Sequence, residues 1–543
     1  MKKLKSQLIN AISSALIELK YPEKKLKLSR PINREYGDIS CNIALLLAGD
    51  LKKNPMNIGE EILSLLGKMN ILNVQNISIA KPGFINFKIT NIFFQSYLGE
   101  IIIKNKDYGK GSLGKNKTAN VEFVSANPTG PLTVGHGRNA IIGDIVSNIL
   151  EWQDYQVTKE YYYNDAGRQM RKLGESVRAR YLELQGEDFE FPEDGYSGEY
   201  IVEIAQKIKS SLPKNFSLDH SFFSKKAEKI IFSRIKSTLS NLGIYFDKYT
   251  NEKIFYKNKD IDKLISSLRE KNLIYEKDGA TWFKASSLGN YKDRVYIKGS
   301  GEPTYRVPDT AYHSDKIKRG YDLIIDVFGA DHADSHIDVR VALNALGFST
   351  EHIKVLLYQF VTLVKDGKKI KMSTRKANFI TLDELISNLG PDVVRYFFIM
   401  RNMNSHLEFD LTLASNQSDK NPIHYIKYAH ARICNVLVRY KPDAVSESTT
   451  QWNLLKTSYE LNLIKHLISF PENIDSAYKS LEPQLIGKYL KDLASMFHSF
   501  YNNCRVLTSD KKLSHSRIKL LESTKIVLRN GLSILGIEAP EKM

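Results

Sequence analysis

A glycine–histidine pair, Gly135-His136, stands where a polar loop gives way to residues with helical spacing. Apolar residues recur at Ile141, Ile145 and Ile149, so a helix begins close to His136. The first turn of a helix attracts anions through its free N–H groups and its dipole. Gly135 lets a nucleotide approach the backbone, and an imidazole beside it can donate to a phosphoryl oxygen. The pair predicts phosphate chemistry, with a histidine that only caps or packs as the alternative.

A second group of charged residues spans 365–376, directly after an apolar run. Six of these twelve residues are basic, and Gly367 supplies a turn. A mobile cationic loop of this kind suits a triphosphate, because ammonium and guanidinium groups both bind phosphate oxygens. A solvated lysine-rich loop is the alternative interpretation.

A third motif, Gly329-Ala-Asp331-His332, follows the apolar run 321–330. The runs 121–126, 321–330 and 354–364 have the length and flanks of buried strands, and helical patterns alternate with them. This alternation predicts a doubly wound parallel sheet, in which ligands bind at the carboxyl ends of the strands. All three motifs are therefore expected on one rim of the sheet.

The bulk composition excludes several classes of protein. With 42% hydrophobic and 26% charged residues, and no run of about 18 apolar residues, the chain is neither disordered nor membrane-spanning. Polar residues interrupt the basic N-terminus, which predicts an amphipathic helix rather than a signal peptide. Three dispersed cysteines predict neither disulfides nor a zinc site, and they fit a reducing cytoplasm.

The charge balance points to a polyanionic partner. The chain carries 78 Lys+Arg against 61 Asp+Glu, a formal net charge of +17. A field of this sign gathers nucleic acid and speeds its association. A lysine-rich composition with solvated faces is the alternative.

Residues 131–139 resemble the HIGH signature of class I aminoacyl-tRNA synthetases, and residues 365–376 resemble their KMSKS loop. The sequence departs from these patterns at Thr133, where the family usually has histidine, and at Thr374, where it has a second lysine. The resemblance implies the following catalytic residues: His136, Lys371, Thr133 and Arg375. It implies the following ATP-binding residues: Gly135, Gly329, Asp331, His332, Met372 and Ser373.

Residues 121–139 and 305–313 are similar to the segments with which arginyl-tRNA synthetases hold their amino acid. The resemblance implies the following arginine-binding residues: Glu122, Ser125, Asn127, Tyr305 and Asp309. Fixed carboxylates suit a guanidinium, because it presents five donors in one plane, whereas lysine would leave acceptors unpaired. The alternatives are a strand-edge charge for Glu122 and a helix cap for Asp309.

The remainder of the chain resembles the RNA-binding parts of the same family. Residues 421–432 and 498–507 are similar to its helical anticodon-binding domain, and the front module to its N-terminal domain, which contacts the outer corner of the tRNA. The implied tRNA-binding residues are Asn86, Tyr425, Tyr428, Tyr501 and Met543. Without the resemblance, the tyrosines would be assigned to the core, and Asn86 to a solvent-facing strand position.

The predicted fold class is α/β, in three domains. A small N-terminal α+β domain occupies 1–108, a Rossmann-type parallel-sheet catalytic domain with an insertion around 160–300 occupies 109–385, and an all-α helical bundle occupies 386–543. The resemblance implies an arginine–tRNA ligase that uses ATP, with Mg²⁺ arriving on the ATP and no metal site of its own. A cytoplasmic monomer acting on arginine and tRNA(Arg) is expected.

Two alternatives remain at the level of sequence. The first is a class I synthetase for another amino acid, which residues 122–127 and 305–309 argue against. The second is an RNA-binding protein that kept the fold without catalysis, which the substitutions at Thr133 and Thr374 keep open.

Overall fold

A computed structural model describes residues 1–31, 33–211, 219–290, 292–370, 380–441 and 450–543. The predicted loop residues Lys371, Met372, Ser373 and Arg375 lie outside these ranges.

The N-terminal part packs helices against a small antiparallel sheet of strand order β1-β2-β4-β3. Alternation places Ile85, Phe87 and Ile89 of one strand in the core, where all three are fully buried. The elements are α1 (Lys2–Glu18), β1 (Leu28–Ser29), β2 (Ile39–Cys41), α2 (Ile43–Leu51), α3 (Pro55–Leu66), β3 (Val74–Ala80), β4 (Phe84–Ile89) and α4 (Asn91–Lys104).

The central part is built on a parallel sheet, as predicted. Its elements are β5 (Lys117–Glu122), α5 (Val134–Trp152), β6 (Tyr155–Tyr163), α6 (Gly167–Gln185), α7 (Glu199–Ser211), α8 (His220–Asn241), β7 (Lys248–Asn251), α9 (Lys253–Lys257), α10 (Asp260–Glu270), β8 (Ile274–Lys277), β9 (Ala280–Phe283), β10 (Arg294–Ile297), α11 (Arg306–Lys318), β11 (Leu323–Gly329), α12 (Ser335–Ala345), β12 (Ile353–Tyr358), β13 (Val361–Lys365) and β14 (Lys368–Lys369).

Within the described ranges, the strand order of the parallel sheet is β12-β11-β5-β6-β7. Helix α5 crosses it with nearly every side chain buried. Strands β8, β9 and β10 form a separate antiparallel sheet. The expected insertion at 160–300 therefore needs correction, because it includes the last four residues of β6 and all of β7, which belong to the main sheet.

Two predicted strands differ from the structure. The strand expected at 121–126 ends at Glu122, because the chain turns into left-handed conformations at Val124 and Ser125. The single strand expected at 354–364 is two strands in two sheets. The chain leaves the main sheet at Gln359, whose N–H donates to the carbonyl of Met403, and β13 then pairs with β14 and with a strand at Leu407–Asp410.

The C-terminal part is a helical bundle preceded by elements that contact the central domain. The elements are α13 (Leu382–Leu389), α14 (Pro391–Phe398), β15 (Leu407–Asp410), α15 (Leu411–Ala414), α16 (Pro422–Arg439), α17 (Ser458–Ile468), α18 (Phe470–Ser480), α19 (Gln484–Asn503) and α20 (Lys511–Ile534). The expectation of helices alone after 385 is wrong for β15, whose four residues are too few to show a period-two pattern in the sequence.

Helix α20 also reaches back to the central domain. The carbonyl of Ile534 accepts a hydrogen bond from Asn148 of α5 at 3.0 Å, and that of Leu535 accepts one from Arg395 of α14 at 2.7 Å. These side chains satisfy carbonyls that a helix end leaves without partners. The three cysteines are buried and unbridged, and each described helix is too short or too polar to cross a membrane.

Candidate active site

Helix α5 begins with the predicted phosphate-binding pair. Thr133 is its N-cap, and the backbone N–H of Thr133 donates to Nδ1 of His136 at 3.1 Å. The Thr133 hydroxyl lies 3.2 Å from the same nitrogen. His136 thus caps its own helix with one ring nitrogen, as the alternative interpretation proposed, and leaves the other for a ligand.

The protonation of His136 follows from this contact. A backbone N–H can only donate, so Nδ1 carries a lone pair and a neutral ring has its proton on Nε2. Burial lowers the pKa of His136 to about 4, which keeps the imidazole neutral at physiological pH. The ring lines the main cavity of the central domain. It can therefore offer an Nε2–H donor to an anion there.

The residues that flank the cationic loop lie beside the start of α5. Thr133 pairs with Thr381 in an isolated antiparallel bridge, and the N–H of Leu382 donates to the carbonyl of Leu132 at 2.9 Å. On the other side of the loop, Lys368 and Lys369 form β14. The segment that follows the loop is therefore fixed at the start of α5.

A cavity of about 430 Å³ opens at the carboxyl ends of β5 and β11. Nine predicted residues line it: Glu122, Ser125, Asn127, His136, Tyr305, Asp309, Gly329, Asp331 and His332. Thr133 and Gly135 do not line the cavity themselves. Thr133 contacts His136, and Gly135 lies in the same first helical turn. The two groups predicted to bind ATP and arginine thus share one cavity.

The strand end at the cavity is held in an unusual backbone conformation. Val124 has φ +66° and Ser125 has φ +44°, a region that costs energy for a residue with a Cβ. The side chain of Asn139 holds this turn, since its oxygen accepts from the N–H of Val124 at 2.7 Å and its amide donates to the carbonyl of Val327 at 2.9 Å. One side chain thereby joins the ends of β5 and β11.

Glu122 is buried in the central strand of the sheet, so the strand-edge alternative is wrong. Ser125 Oγ donates to one of its oxygens at 2.9 Å, and Lys316 Nζ contacts the other. The same ammonium donates to Asp326 at 2.6 Å, and His313 Nε2 lies 3.1 Å from the second oxygen of Asp326. The floor of the cavity is a closed network of two carboxylates around one buried cation.

Glu122, His313 and Asp326 could bring their ligand atoms to one metal ion. The donor set does not fit, because Lys316 Nζ already contacts both carboxylates. A divalent cation there would face a buried ammonium whose pKa is raised above its usual range by Asp326 and Glu122, in spite of burial. We therefore assign this cluster to charge pairing.

Asp309 lies in the first turn of α11 and faces the cavity. Burial raises the pKa of its carboxyl to about 7. Tyr305, one turn earlier, is 56% exposed at the cavity mouth, with the Arg306 guanidinium 4.7 Å from its ring centre. Arg306 in turn donates to the buried Asp338 at 2.7 Å, which fixes this end of α11.

The cavity is also lined by a carboxyl group that the sequence did not suggest, that of Glu252. Glu252 accepts from the Tyr162 hydroxyl at 2.9 Å and from the Asn164 amide at 2.8 Å, and burial raises its pKa. The N–H of Asn164 donates to Asn127 at 2.9 Å, whose amide donates to Gln169 at 3.0 Å. Residues 161–169 thus form the wall of the cavity beside Asn127.

The predicted tRNA-binding residues lie elsewhere. Asn86 is 1% exposed, so its burial argues against a direct contact with a tRNA base as well as against the solvent-facing alternative; its amide donates to the carbonyl of Phe84 at 3.2 Å. Tyr425 and Tyr428 both contact the ring of His498, with centroids at 4.6 and 5.8 Å. Tyr428 is 42% exposed, and Met543 is 56% exposed.

Tyr501 completes this aromatic group. The Arg432 guanidinium lies 4.2 Å from its ring centre and 5.7 Å from that of Tyr428. These rings are partly exposed, Tyr428 most of all, and with the adjacent guanidinium they have the composition of a surface on which unstacked bases stack.

Several residues of the site were missed at the level of sequence. Asp326 gave a signal, because it interrupts the apolar run 323–328, where a charge must find a buried partner. Asn139 follows the glycine–histidine motif by three residues and could have been included with it. Lys316 and Glu252 gave no such signal in their lysine-rich surroundings.

Three family models match successive parts of the chain. They are the arginyl tRNA synthetase N terminal domain at 2–89, the catalytic domain of class I tRNA synthetases (R) at 98–390, and the DALR anticodon binding domain at 426–543. The catalytic-domain match alone covers more than half of the 543 residues.

Similar proteins agree over nearly the whole length. The arginine–tRNA ligase of Desulfotalea psychrophila is 47% identical over 526 residues, which cover 96% of this chain and 95% of that protein. The arginine–tRNA ligase of Chlorobium phaeobacteroides is 46% identical over 546 residues, 98% of each chain. The Thermus thermophilus arginyl-tRNA synthetase shares the fold, with a TM-score of 0.75 over 99% of each chain at 21% identity. The chain therefore belongs to the arginyl-tRNA synthetase family of class I.

Proposed function

We propose that this protein activates arginine with ATP and esterifies it to the 3′-terminal ribose of tRNA(Arg), releasing AMP and pyrophosphate. One observation carries the proposal: His136, the segment that follows the cationic loop and an acidic cavity meet at one edge of the parallel sheet. A triphosphate beside this edge and an arginine in the cavity would have their reacting groups adjacent.

Arginine would lie with its guanidinium at Asp309 and Tyr305 and its ammonium near Glu122, Ser125 and Asn127. A guanidinium paired with a buried carboxylate forms two parallel hydrogen bonds, which a lysine ammonium cannot reproduce. The excess of carboxyl groups around the cavity favours a substrate with two positive charges. This arrangement argues for arginine over a neutral amino acid.

The arginine carboxylate would attack the α-phosphorus of ATP in line, and pyrophosphate would leave. His136 would donate from Nε2 to a phosphate oxygen, while Lys371 and Arg375 would bind the departing pyrophosphate. Gly135, Gly329, Asp331, His332, Met372 and Ser373 would hold the nucleotide. The protein supplies position and charge, and little covalent chemistry is required of it.

Mg²⁺ would enter as part of the ATP substrate. The tRNA would bind along the N-terminal domain and the bundle, with Tyr425, Tyr428, Tyr501 and Met543 as contacts, and its terminal 2′-hydroxyl would take the arginyl group. We propose that the protein acts as a monomer in the cytoplasm, with domains at 1–108, 109–385 and 386–543.

The test is arginine-dependent exchange of pyrophosphate into ATP, measured with and without tRNA(Arg). We expect His136→Ala to lower kcat by roughly 10²–10³-fold, the usual effect of removing a donor to developing charge, with a smaller change in KM for ATP. His220→Ala is the matched control, because His220 is exposed at the start of α8. Equal kcat for His136→Ala and wild type would refute the assignment.

A further inference from the structure

Arg138, two residues after His136, is completely buried and holds three backbone carbonyls from distant parts of the chain. Its Nη1 donates to the carbonyls of Gln359 at 2.5 Å and Ser405 at 3.1 Å, and its Nη2 donates to that of Asn402 at 3.1 Å. The partners lie 221, 267 and 264 residues away in the sequence. One side chain in the first turns of α5 thus joins two connections: the one between β12 and β13, and the one between α14 and β15.

These carbonyls mark the stem of the cationic loop. Gln359 stands between β12 and β13, and residues 402–405 lead into β15. The two segments are also hydrogen-bonded to each other, through Gln359 N–H to the Met403 carbonyl at 2.9 Å and Leu407 N–H to the Phe360 carbonyl at 3.2 Å. Beyond this crossing, β13 pairs with β14, which ends at Lys369. Arg138 therefore fixes the base from which the loop extends.

Stability alone does not account for an arginine at this place. Among the described residues, no carboxylate forms an ion pair with Arg138, and its Nε has no hydrogen-bond partner. Burial lowers the pKa of Arg138 to about 10, so the guanidinium stays charged. A buried charge without a counter-ion is costly, and an apolar side chain of similar size is often as stabilising. What an apolar chain cannot do is hold three carbonyls in one plane.

We propose that Arg138 is a positioning residue for adenylate formation: by fixing the crossing at 359–360 and 402–407 to α5, it sets where β13 and β14 stand relative to the imidazole of His136. The inference rests on the proposed function, because it assigns the loop to the same triphosphate. Arg138 itself touches no substrate and acts through the geometry of the crossing at 359–360 and 402–407.

The test compares Arg138→Lys with Arg517→Lys. Arg517 is the matched control, since it is also buried and donates to a backbone carbonyl, that of Arg505 at 2.7 Å, but lies in the C-terminal bundle. Both variants are measured for Tm, for kcat and KM in arginine-dependent pyrophosphate exchange, and for arginine binding by fluorescence. Lysine keeps the charge of Arg138 and loses the planar fork.

We expect both variants to lower Tm, and only Arg138→Lys to lower kcat per folded molecule, by roughly 100-fold, the cost of misplacing a reacting group by about 1 Å. Arginine affinity should be unchanged for Arg138→Lys, because Arg138 does not line the cavity that holds the proposed arginine-binding residues. A kcat for Arg138→Lys that equals that of Arg517→Lys would overturn the proposal.

A second variant keeps the proposal testable should Arg138→Lys fail to fold. Asn402→Ala keeps the backbone carbonyl that Arg138 binds. It removes the side-chain amide that donates to Glu482 at 2.5 Å and the side-chain oxygen that accepts from the N–H of Asn404 at 2.9 Å. It should lower kcat in the same direction with arginine affinity intact. Wild-type kcat for a folded Asn402→Ala would count against the proposal. An unchanged kcat for His136→Ala would instead refute the proposed function, so failure of one proposal can be told apart from failure of the other.

Discussion

The carboxyl group of Asp309 titrates in the pH range in which enzymes are usually studied. Burial raises its pKa to about 7, so below neutral pH the group is largely protonated and carries no charge. A guanidinium binds the carboxylate form, and arginine affinity should therefore fall as pH falls. We expect KM for arginine to rise between pH 8 and pH 6, roughly tenfold per pH unit below the pKa.

Asp309→Asn provides the control for this pH dependence. The amide cannot ionise, so its KM should be high at pH 8, by roughly 10- to 100-fold for the loss of a charge-assisted hydrogen bond, and should vary little with pH. A wild-type KM that stays constant from pH 8 to pH 6 would show that another group binds the guanidinium.

Lys316 neutralises two buried carboxylates, and its removal should destabilise the central domain. Burial opposes ionisation of Asp326, but the ammonium of Lys316 outweighs it and holds the pKa of this carboxyl well below its usual range. We expect Lys316→Met to lower the free energy of unfolding by about 3–5 kcal/mol at pH 7, measured by urea denaturation. Lys318→Met, on the exposed face of the same helix, should change it by less than about 0.5 kcal/mol.

The pH dependence of this effect has a definite sign. A lowered carboxyl pKa contributes stability above the unfolded value of about 4, and the contribution is lost as pH falls below it. The difference between wild type and Lys316→Met should therefore shrink in acid. A difference that stays constant down to pH 3 would contradict the ion-pair explanation.

Sequence reasoning identified the residues of this site that belong to motifs and missed those that belong to the tertiary structure. His136, Glu122 and Asp309 stand in segments whose pattern is local. Lys316 becomes part of the site only because α11 packs beside β5 and β11, and its contact with Glu122 spans 194 residues of sequence. No local spacing encodes such a contact.

Among the elements, α5 lies so close to β5 that one glycine determines the packing distance. A Cβ on Gly143 would lie 2.2 Å from Cγ of Phe123, a fully buried ring. Gly143→Ala must push the helix or the ring aside, at a cost of roughly 1–3 kcal/mol. Phe123 precedes the strained turn at Val124, so we also expect lower kcat in pyrophosphate exchange.

Gly99→Ala in α4 is the matched control for Gly143→Ala. A Cβ there meets nothing within 4 Å, so the change should stabilise the protein by up to about 1 kcal/mol through helix propensity. Thermal unfolding measures both variants. Equal Tm shifts for the two would show that the contact between α5 and β5 relaxes freely.

The parallel sheet could be predicted because its strands are apolar runs between helical patterns. The break in the run 354–364 could not, because the single polar residue Gln359 does not end an apolar run and the departure from the sheet depends on residues 402–407. The same long-range pairing accounts for the missed strand β15. Local patterns give the type of an element more readily than the sheet it joins.

For the whole molecule, the net charge of +17 bears on how tRNA is bound. Contacts between lysine or arginine and phosphates release counterions, so affinity falls steeply with salt. We expect KM for tRNA(Arg) to rise at least about tenfold between 50 and 200 mM KCl, and KM for arginine to change by less than about twofold. Parallel shifts in the two constants would indicate an effect of salt on the enzyme rather than on RNA binding.

The junction of α20 with α5 has a consequence for the order in which the protein matures. The bond from Asn148 to the Ile534 carbonyl spans 386 residues, so the helix that carries His136 gains this support only after nearly four hundred further residues have been synthesised. Contacts of such sequence separation form late and slowly. A nascent chain on the ribosome that lacks α20 should therefore be unable to charge tRNA. Only completed chains would then supply arginyl-tRNA for translation.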